Sequence, residues 1–138
     1  MAREVVLVCG APGAGKSTFA RTLGLTVYDR DDPQWAGRED IFRAALAALA
    51  ADPAARAAVI RTGSTRDART RAADLCMATR AEVLLTPRGE CIRRVIERGR
   101  GDVRGQIAAI ERWWDTYERE CAGHDEEAHL GERVADWW

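Results

Sequence analysis

A three-layer α/β fold is predicted, with a parallel sheet of about four strands in the order 2-3-1-4 and helices on both faces. Three observations predict it. Short apolar runs alternate with stretches of helical periodicity along the chain, and such alternation folds through right-handed crossovers into a parallel sheet. The first run, Val5-Val-Leu-Val-Cys9, is apolar at every position rather than every second one, as a strand covered on both faces must be. That run leads directly into a glycine-rich loop opening a helix, a strand–loop–helix unit whose loop lies on the ligand edge of such a sheet.

The elements follow in order. The first strand spans Glu4–Cys9, and the helix after the loop runs from about Lys16 to Leu23, where Gly24 offers a C-terminal stop. Leu25–Tyr28 is a second short strand, ending in Asp29-Arg-Asp-Asp32 before Pro33 breaks the chain. Ile41, Phe42, Ala45, Leu46 and Leu49 recur at helical spacing, so 38–50 is an amphipathic helix. Asp52-Pro53 reads as the N-cap and first-turn proline of a further short helix. Ala58–Thr62 is the third strand, and Ser64-x-x-Asp67 is a capping box opening a helix through about Arg80. Glu82–Leu85 is the fourth strand, and Thr86-Pro87 starts a helix through about Arg98. The glycine-arginine segment 98–105 leads to a final helix, about Gln106 to Glu120, expected to bury Ile107, Ile110, Trp114 and Tyr117.

A chain of 138 residues has room for one core, so the expectation is one domain over 1–122 and an acidic tail over 123–138. No apolar run approaches the roughly 20 residues that span a bilayer, and the N-terminal run is too short for a secretory signal. Cys9, Cys76, Cys91 and Cys121 form no CxxC pair, which points to free thiols in a reducing compartment. A cytoplasmic protein with no membrane partner is expected. The net charge is −1 but unevenly spread: 61–104 holds eleven arginines against six acids, and 111–138 three against nine. A basic middle calls for an anionic ligand, whereas the acidic end reads as a solvated face. His124 and His129 are five apart and do not share a helix face, so no metal site is assigned there. Trp35 and Trp137-Trp138 are read as core or contact residues, and Arg66, Arg69, Arg71 and Arg80 as a solvated helix face.

Gly10-Ala-Pro-Gly-Ala-Gly-Lys-Ser-Thr18 matches GxxxxGK[ST] in full. Glycines let the backbone curl so that successive N–H groups point at phosphate oxygens, and the helix N-terminus adds its positive end. Gly10, Ala11, Pro12, Gly13, Ala14, Gly15, Lys16, Ser17 and Thr18 thus form a P-loop for a nucleoside triphosphate, ATP, with Mg²⁺. Lys16 reaches the terminal phosphates and the Ser17 hydroxyl ligates the metal. The chain has twenty arginines and a single lysine, Lys16; a compact ammonium fits inside a phosphate-wrapping loop where a forked guanidinium does not. Neither the third nor the fourth strand ends in an acid, and only the second delivers any, at Asp29, Asp31 and Asp32. Asp29 and Asp32 are read first as turn formers.

With Tyr28-Asp-Arg-Asp-Asp32 after it, the loop resembles the kinase domain of the bacteriophage polynucleotide 5′-hydroxyl kinases, whose pattern is GxPGSGKST and a second strand ending in Arg-Asp-Asp. The resemblance runs on through Val59-Ile-Arg-Thr-Gly-Ser-Thr-Arg-Asp-Ala-Arg and Glu90-Cys-Ile-Arg-Arg-Val-Ile-Glu-Arg-Gly99. It implies a P-loop NTPase fold and an ATP-dependent kinase acting on a nucleic-acid 5′ end, a nucleoside or a nucleotide. It also implies that Asp31 is the general base and that Arg94 and Arg98 are the arginines of a helical lid at about 88–105. Independently, Arg94 and Arg98 at i, i+4 share a helix face. Two positions depart from the family pattern: Gln34 stands in place of an acceptor-phosphate arginine, and Gly63 in place of an aspartate. Alternatives are a small-molecule kinase, including nucleotide-sugar kinases, and a P-loop ATPase or nucleotide-dependent interaction protein without kinase activity.

Overall fold

The computed structural model describes residues 2–122 and 132–133. β1 (Glu4–Gly10) carries the apolar run, and Val5 to Cys9 are fully buried. A strand with no polar face needs neighbours on both edges, and it has them. β3 (Arg56–Arg61) lies on one side and β4 (Arg80–Leu84) on the other, both parallel to it. β2 (Thr26–Asp29) pairs in parallel with the far edge of β3. The predicted order 2-3-1-4 is therefore the order found, and a two-residue strand, β5 (Glu132–Arg133), extends it in parallel beyond β4. Those two residues fall within the stretch read as an acidic tail. The remainder of 123–138, with His124, His129 and Trp137-Trp138, lies outside the described residues.

Among the described residues five helices cover the sheet: α1 (Lys16–Thr22), α2 (Glu39–Ala51), α3 (Arg66–Cys76), α4 (Arg88–Arg98) and α5 (Val103–Ala122). Side chains alternate across a strand, and β3 shows the consequence. Ala58 and Ile60 cluster with Ala20 of α1, while Ala57 and Val59 join the main core with Phe42, Leu46 and Leu49 of α2 and Cys76 of α3. α4 packs against α5, where Arg88 pairs with Glu111, Asp115 and Glu118. The cysteines are all free, with Cys9, Cys76 and Cys91 buried. Among the described residues no helix is long and apolar enough to cross a membrane.

Several local expectations are corrected. No helix starts at Asp52-Pro53; the Asp52 carboxylate accepts from Ala54 N at 2.8 Å, closing an Asx turn that feeds β3. The cap of α3 is Thr65 rather than Ser64, its hydroxyl accepting from Ala68 N at 3.0 Å. That helix stops at Cys76 because Met77 turns left-handed, at φ 51°, so Arg80 begins β4. α5 starts at Val103, three residues early, with Asp102 accepting from Gly105 N at 3.0 Å. In α5 it is Trp113, not Trp114, that is deeply buried, because its indole N–H reaches Thr62 O at 2.7 Å. Ile107 and Trp114 are only partly buried against the core. Arg69 is no solvated residue either: it is buried, donates to Gly63 O at 2.9 Å and lies 3.6 Å from Glu120.

Arg3 ties the N-terminal strand to two helix ends. Its guanidinium donates to Leu49 O at 3.1 Å and Asp52 O at 3.1 Å at the end of α2, and to Cys76 O at 2.9 Å and Met77 O at 2.5 Å at the end of α3. Terminal helix carbonyls have no intrahelical partner, and a cation there also meets the negative ends of both helix dipoles. Arg3→Ala is expected to lower unfolding free energy by about 2 kcal/mol, measured by urea denaturation. Arg3→Lys should recover only part of it, since an ammonium cannot fork across two chain ends.

Candidate active site

The loop between β1 and α1 begins as the last residue of a buried strand and ends as the first turn of a helix. Gly13 and Gly15 are left-handed, at φ 77° and 93°, a region that side chains resist. Gly13 also has no room for one: a Cβ there would lie 2.7 Å from Cys91 O of α4. Two further residues hold the loop from beneath. The buried Thr86 hydroxyl donates to Ala14 O at 2.8 Å, and the buried Arg94 donates to Gly13 O at 3.3 Å. Lys16 Nζ folds back onto Gly10 O at 2.7 Å and Ala11 O at 3.0 Å. Burial pulls its pKa down to about 8, against the opposing pull of Cys9 and Asp29, and an arriving phosphate would favour the charged form.

Residues 11–18 line a cavity of about 370 Å³, completed by Asp29, Asp31, Ile60, Arg98 and Gln106. At its floor Ser17 Oγ donates to Asp29 Oδ2 at 3.4 Å. A hydroxyl and a carboxylate are hard oxygen donors of the kind Mg²⁺ takes. Among the described residues no group of three or more acids, histidines or cysteines forms a metal cage; Mg²⁺ commonly completes its shell with waters and substrate phosphates. Ser17 and Asp29 therefore fit the ion. Asp29 is a turn former as well, its other oxygen accepting from Asp31 N at 3.0 Å.

Asp31 lies beyond the end of β2 with its side chain 91% exposed and 4.0 Å from Arg30. It borders the phosphate cavity and also a second one of about 470 Å³, walled by β3, the start of α2 and one side of α3. Lys16, Asp29, Asp31 and Ile60 line both, so the two spaces meet at the loop lysine and the acidic strand end.

The pair Arg94 and Arg98 is divided. Arg98 is exposed and lines the phosphate cavity. Arg94 does not line it: its Nε is 3.1 Å from Glu90 and its other end braces Gly13. The expectation that both face one target fails for a simple reason. Residues one turn apart share a face but differ by about 6 Å in height along the axis, and here the first reaches the Gly13 carbonyl and the second the cavity.

The two departures from the resembled pattern also have structural causes. Gly63 is left-handed at φ 52°, and a Cβ would meet Cys9 Sγ at 2.6 Å and Arg69 Cγ at 2.8 Å. No side chain fits there; Arg69 fills the space. Gln34 sits in a single 3-10 turn over Pro33–Trp35, exposed, its N–H bonded to the Asp32 cap at 3.0 Å. Asp32 is thus a turn former, as read, and also the cap of this turn. Trp35 packs between Tyr28 and Phe42, with ring centroids 6.1 and 5.4 Å away.

Sequence reasoning missed Asp29 as a partner of Ser17, Thr86 as a loop support, and Gln106 at the phosphate cavity. It also missed the second cavity, to which Arg30, Glu39, Arg43, Arg61 and Arg71 contribute. The one available signal was for Asp29, the first acid after a strand beside the loop.

No protein-family model and no curated protein matches this sequence. Solved structures do. A gluconokinase from Sinorhizobium meliloti 1021 is 15% identical with a TM-score of 0.60, over 95% of this chain and 81% of its own. A shikimate kinase from Bacteroides thetaiotaomicron is 20% identical with a TM-score of 0.51, over 84% and 82%. One from Acinetobacter baumannii, in complex with shikimate, is 19% identical with a TM-score of 0.51, over 86% and 79%. The fold is that of the P-loop kinases. In this P-loop kinase fold β1 delivers the loop, the end of β2 delivers Asp29 and Asp31, and the end of β3 between them lines the second cavity. The likenesses are to small-molecule kinases and do not show the narrower resemblance to polynucleotide kinases, which is specific only at residues 10–18 and 28–32.

Proposed function

We propose that this protein is an ATP-dependent phosphotransferase that moves the γ-phosphoryl group to a hydroxyl of a small acceptor. The observation that carries the reading is the pair of cavities meeting at Lys16, Asp29 and Asp31. A simple ATPase needs one such space; a kinase needs two, so placed that the acceptor oxygen stands in line with the terminal phosphate.

ATP lies with its phosphates along the backbone N–H groups of 11–18, and Lys16 leaves the Gly10 and Ala11 carbonyls to bind the terminal phosphates. Mg²⁺ held by Ser17 and Asp29 would neutralise charge on the phosphate oxygens. Asp31 accepts the proton of the acceptor hydroxyl, the oxygen bonds to the γ-phosphorus, and the bond to the bridging oxygen breaks to release ADP. Arg98 closes on the transferring group from α4, while Arg94 keeps the loop in shape from beneath. A nucleic-acid 5′ end remains a second reading, supported by the Arg30-Asp31-Asp32 motif after β2.

The roles of the two arginines separate experimentally. Arg98→Ala should lower kcat by roughly 10²–10³ with little change in MgATP affinity, as expected of a donor realised in the transition state. Arg94→Ala should lower thermal stability and nucleotide affinity together. Steady-state ADP formation with and without oligonucleotides, nucleosides, sugar phosphates and sugar acids tests the function itself. Stimulation by one acceptor class is expected; a rate indifferent to every acceptor would favour the ATPase reading.

A further inference from the structure

The second cavity carries more chemistry than a neutral polyol requires. Arg30, Arg43, Arg61 and Arg71 all line it. Glu39 answers two of them, accepting from Arg30 Nε at 2.6 Å and from Arg61 Nη2 at 2.8 Å. These hydrogen bonds, with Arg61 foremost, hold the Glu39 carboxyl below its usual range, so it stays charged and orients both guanidiniums. Arg61 also lies 5.5 Å over the Phe42 ring, which fixes its plane. Arg71 pairs with Asp67 along α3. Arg43, exposed on α2, has no hydrogen-bond or ion-pair partner among the described residues. Four guanidiniums thus meet three carboxylates, Glu39, Asp67 and Asp31, the last 4.0 Å from Arg30, which leaves the balance positive and Arg43 unanswered. Ala68, Ala72 and Leu75 of α3 add an apolar stretch of wall.

We infer that the acceptor is a small hydroxylated phosphomonoester, its phosphate held by Arg43, Arg61 and Arg71 and its hydroxyl presented to Asp31. The inference rests on the kinase reading for the hydroxyl but not for the phosphate. A phosphomonoester carries close to two negative charges near pH 7 and three terminal oxygens for the guanidiniums of Arg43, Arg61 and Arg71, whereas a carboxylate offers one charge and two oxygens. Guanidinium forks suit three phosphate oxygens better than ammonium groups would. A volume of about 470 Å³ admits a sugar phosphate or a nucleotide and its waters, within the usual range for small-molecule sites. Position 34, where the polynucleotide kinases place their acceptor arginine, is not part of this set.

The test is calorimetric binding without ATP, using a hexose 6-phosphate, a nucleoside 5′-monophosphate, a six-carbon sugar acid and a neutral hexitol. Wild type, Arg43→Ala, Arg61→Met and Lys16→Ala are compared, because a phosphate could also enter the P-loop. One of the two phosphomonoesters should bind at least tenfold tighter than the sugar acid, and the hexitol should not bind. That affinity should fall roughly tenfold or more in Arg43→Ala and Arg61→Met, and little in Lys16→Ala. Arg43 is exposed and bonded to no other described residue, so its variant is expected to fold, as circular dichroism would verify. The inference is overturned if the sugar acid binds as tightly as both phosphomonoesters. It is equally overturned if neither phosphomonoester binds, or if their binding tracks Lys16 rather than Arg43. Arg43-dependent binding without acceptor-stimulated ADP formation would sink the kinase reading instead, and leave this site standing.

Discussion

Lys16→Ala should weaken MgATP binding by roughly 10–100-fold, the worth of one or two charge-assisted hydrogen bonds, and should take phosphoryl transfer below detection. The fold should survive. Lys16 contributes only bonds to the Gly10 and Ala11 carbonyls, and the loop is held by Thr86 on Ala14, Arg94 on Gly13 and the packing of Gly13 on Cys91. Burial already disfavours the ammonium in the free protein, so removing it relieves a desolvation cost. Calorimetry with MgATP beside urea denaturation checks both halves. Unchanged affinity would mean that the phosphates lie elsewhere.

Asp31→Asn should leave nucleotide affinity within a few-fold of wild type and lower transfer by roughly 10²–10⁴, the usual reach of a general base. The amide keeps the shape of the side chain but cannot take the acceptor proton. Asp29→Asn should behave differently, because Asp29 is held against the Ser17 hydroxyl at 3.4 Å, whereas the Asp31 side chain is 91% exposed. Its loss should raise the Mg²⁺ concentration needed for half-maximal rate. Single-turnover rates at several Mg²⁺ concentrations separate the two carboxylates. If Asp31→Asn shows the metal dependence and Asp29→Asn does not, their roles are exchanged.

The strand, loop and first helix were legible in the sequence because their code is local. Five consecutive apolar residues admit only a central strand, and Gly13 and Gly15 admit only a loop that backs onto another element. The sheet order was legible for a related reason, since buried parallel strands joined by helices leave few topologies. What was not legible depends on distant partners. Arg69 has the look of a solvated helix residue until Glu120 and the Gly63 carbonyl arrive beside it from elsewhere in the chain. Arg94 and Arg98 share a face in any helical projection, yet only the tertiary placement of the loop decides which lies beneath it. Ser64 has an acid three residues on and Thr65 does not, yet it is the Thr65 hydroxyl that accepts from Ala68 N. The second cavity draws on residues from 16 to 75 in five segments, with no spacing that a motif could capture.

The central claim is that the γ-phosphoryl group passes to an acceptor in the second cavity rather than to water. Following γ-labelled ATP through a single turnover, with a hexose 6-phosphate or nucleoside 5′-monophosphate present, tests it most directly. The account predicts label in an acid-stable ester of the acceptor, lost in Asp31→Asn and in Lys16→Ala. Label appearing only as inorganic phosphate, at one rate with or without acceptor, would contradict it.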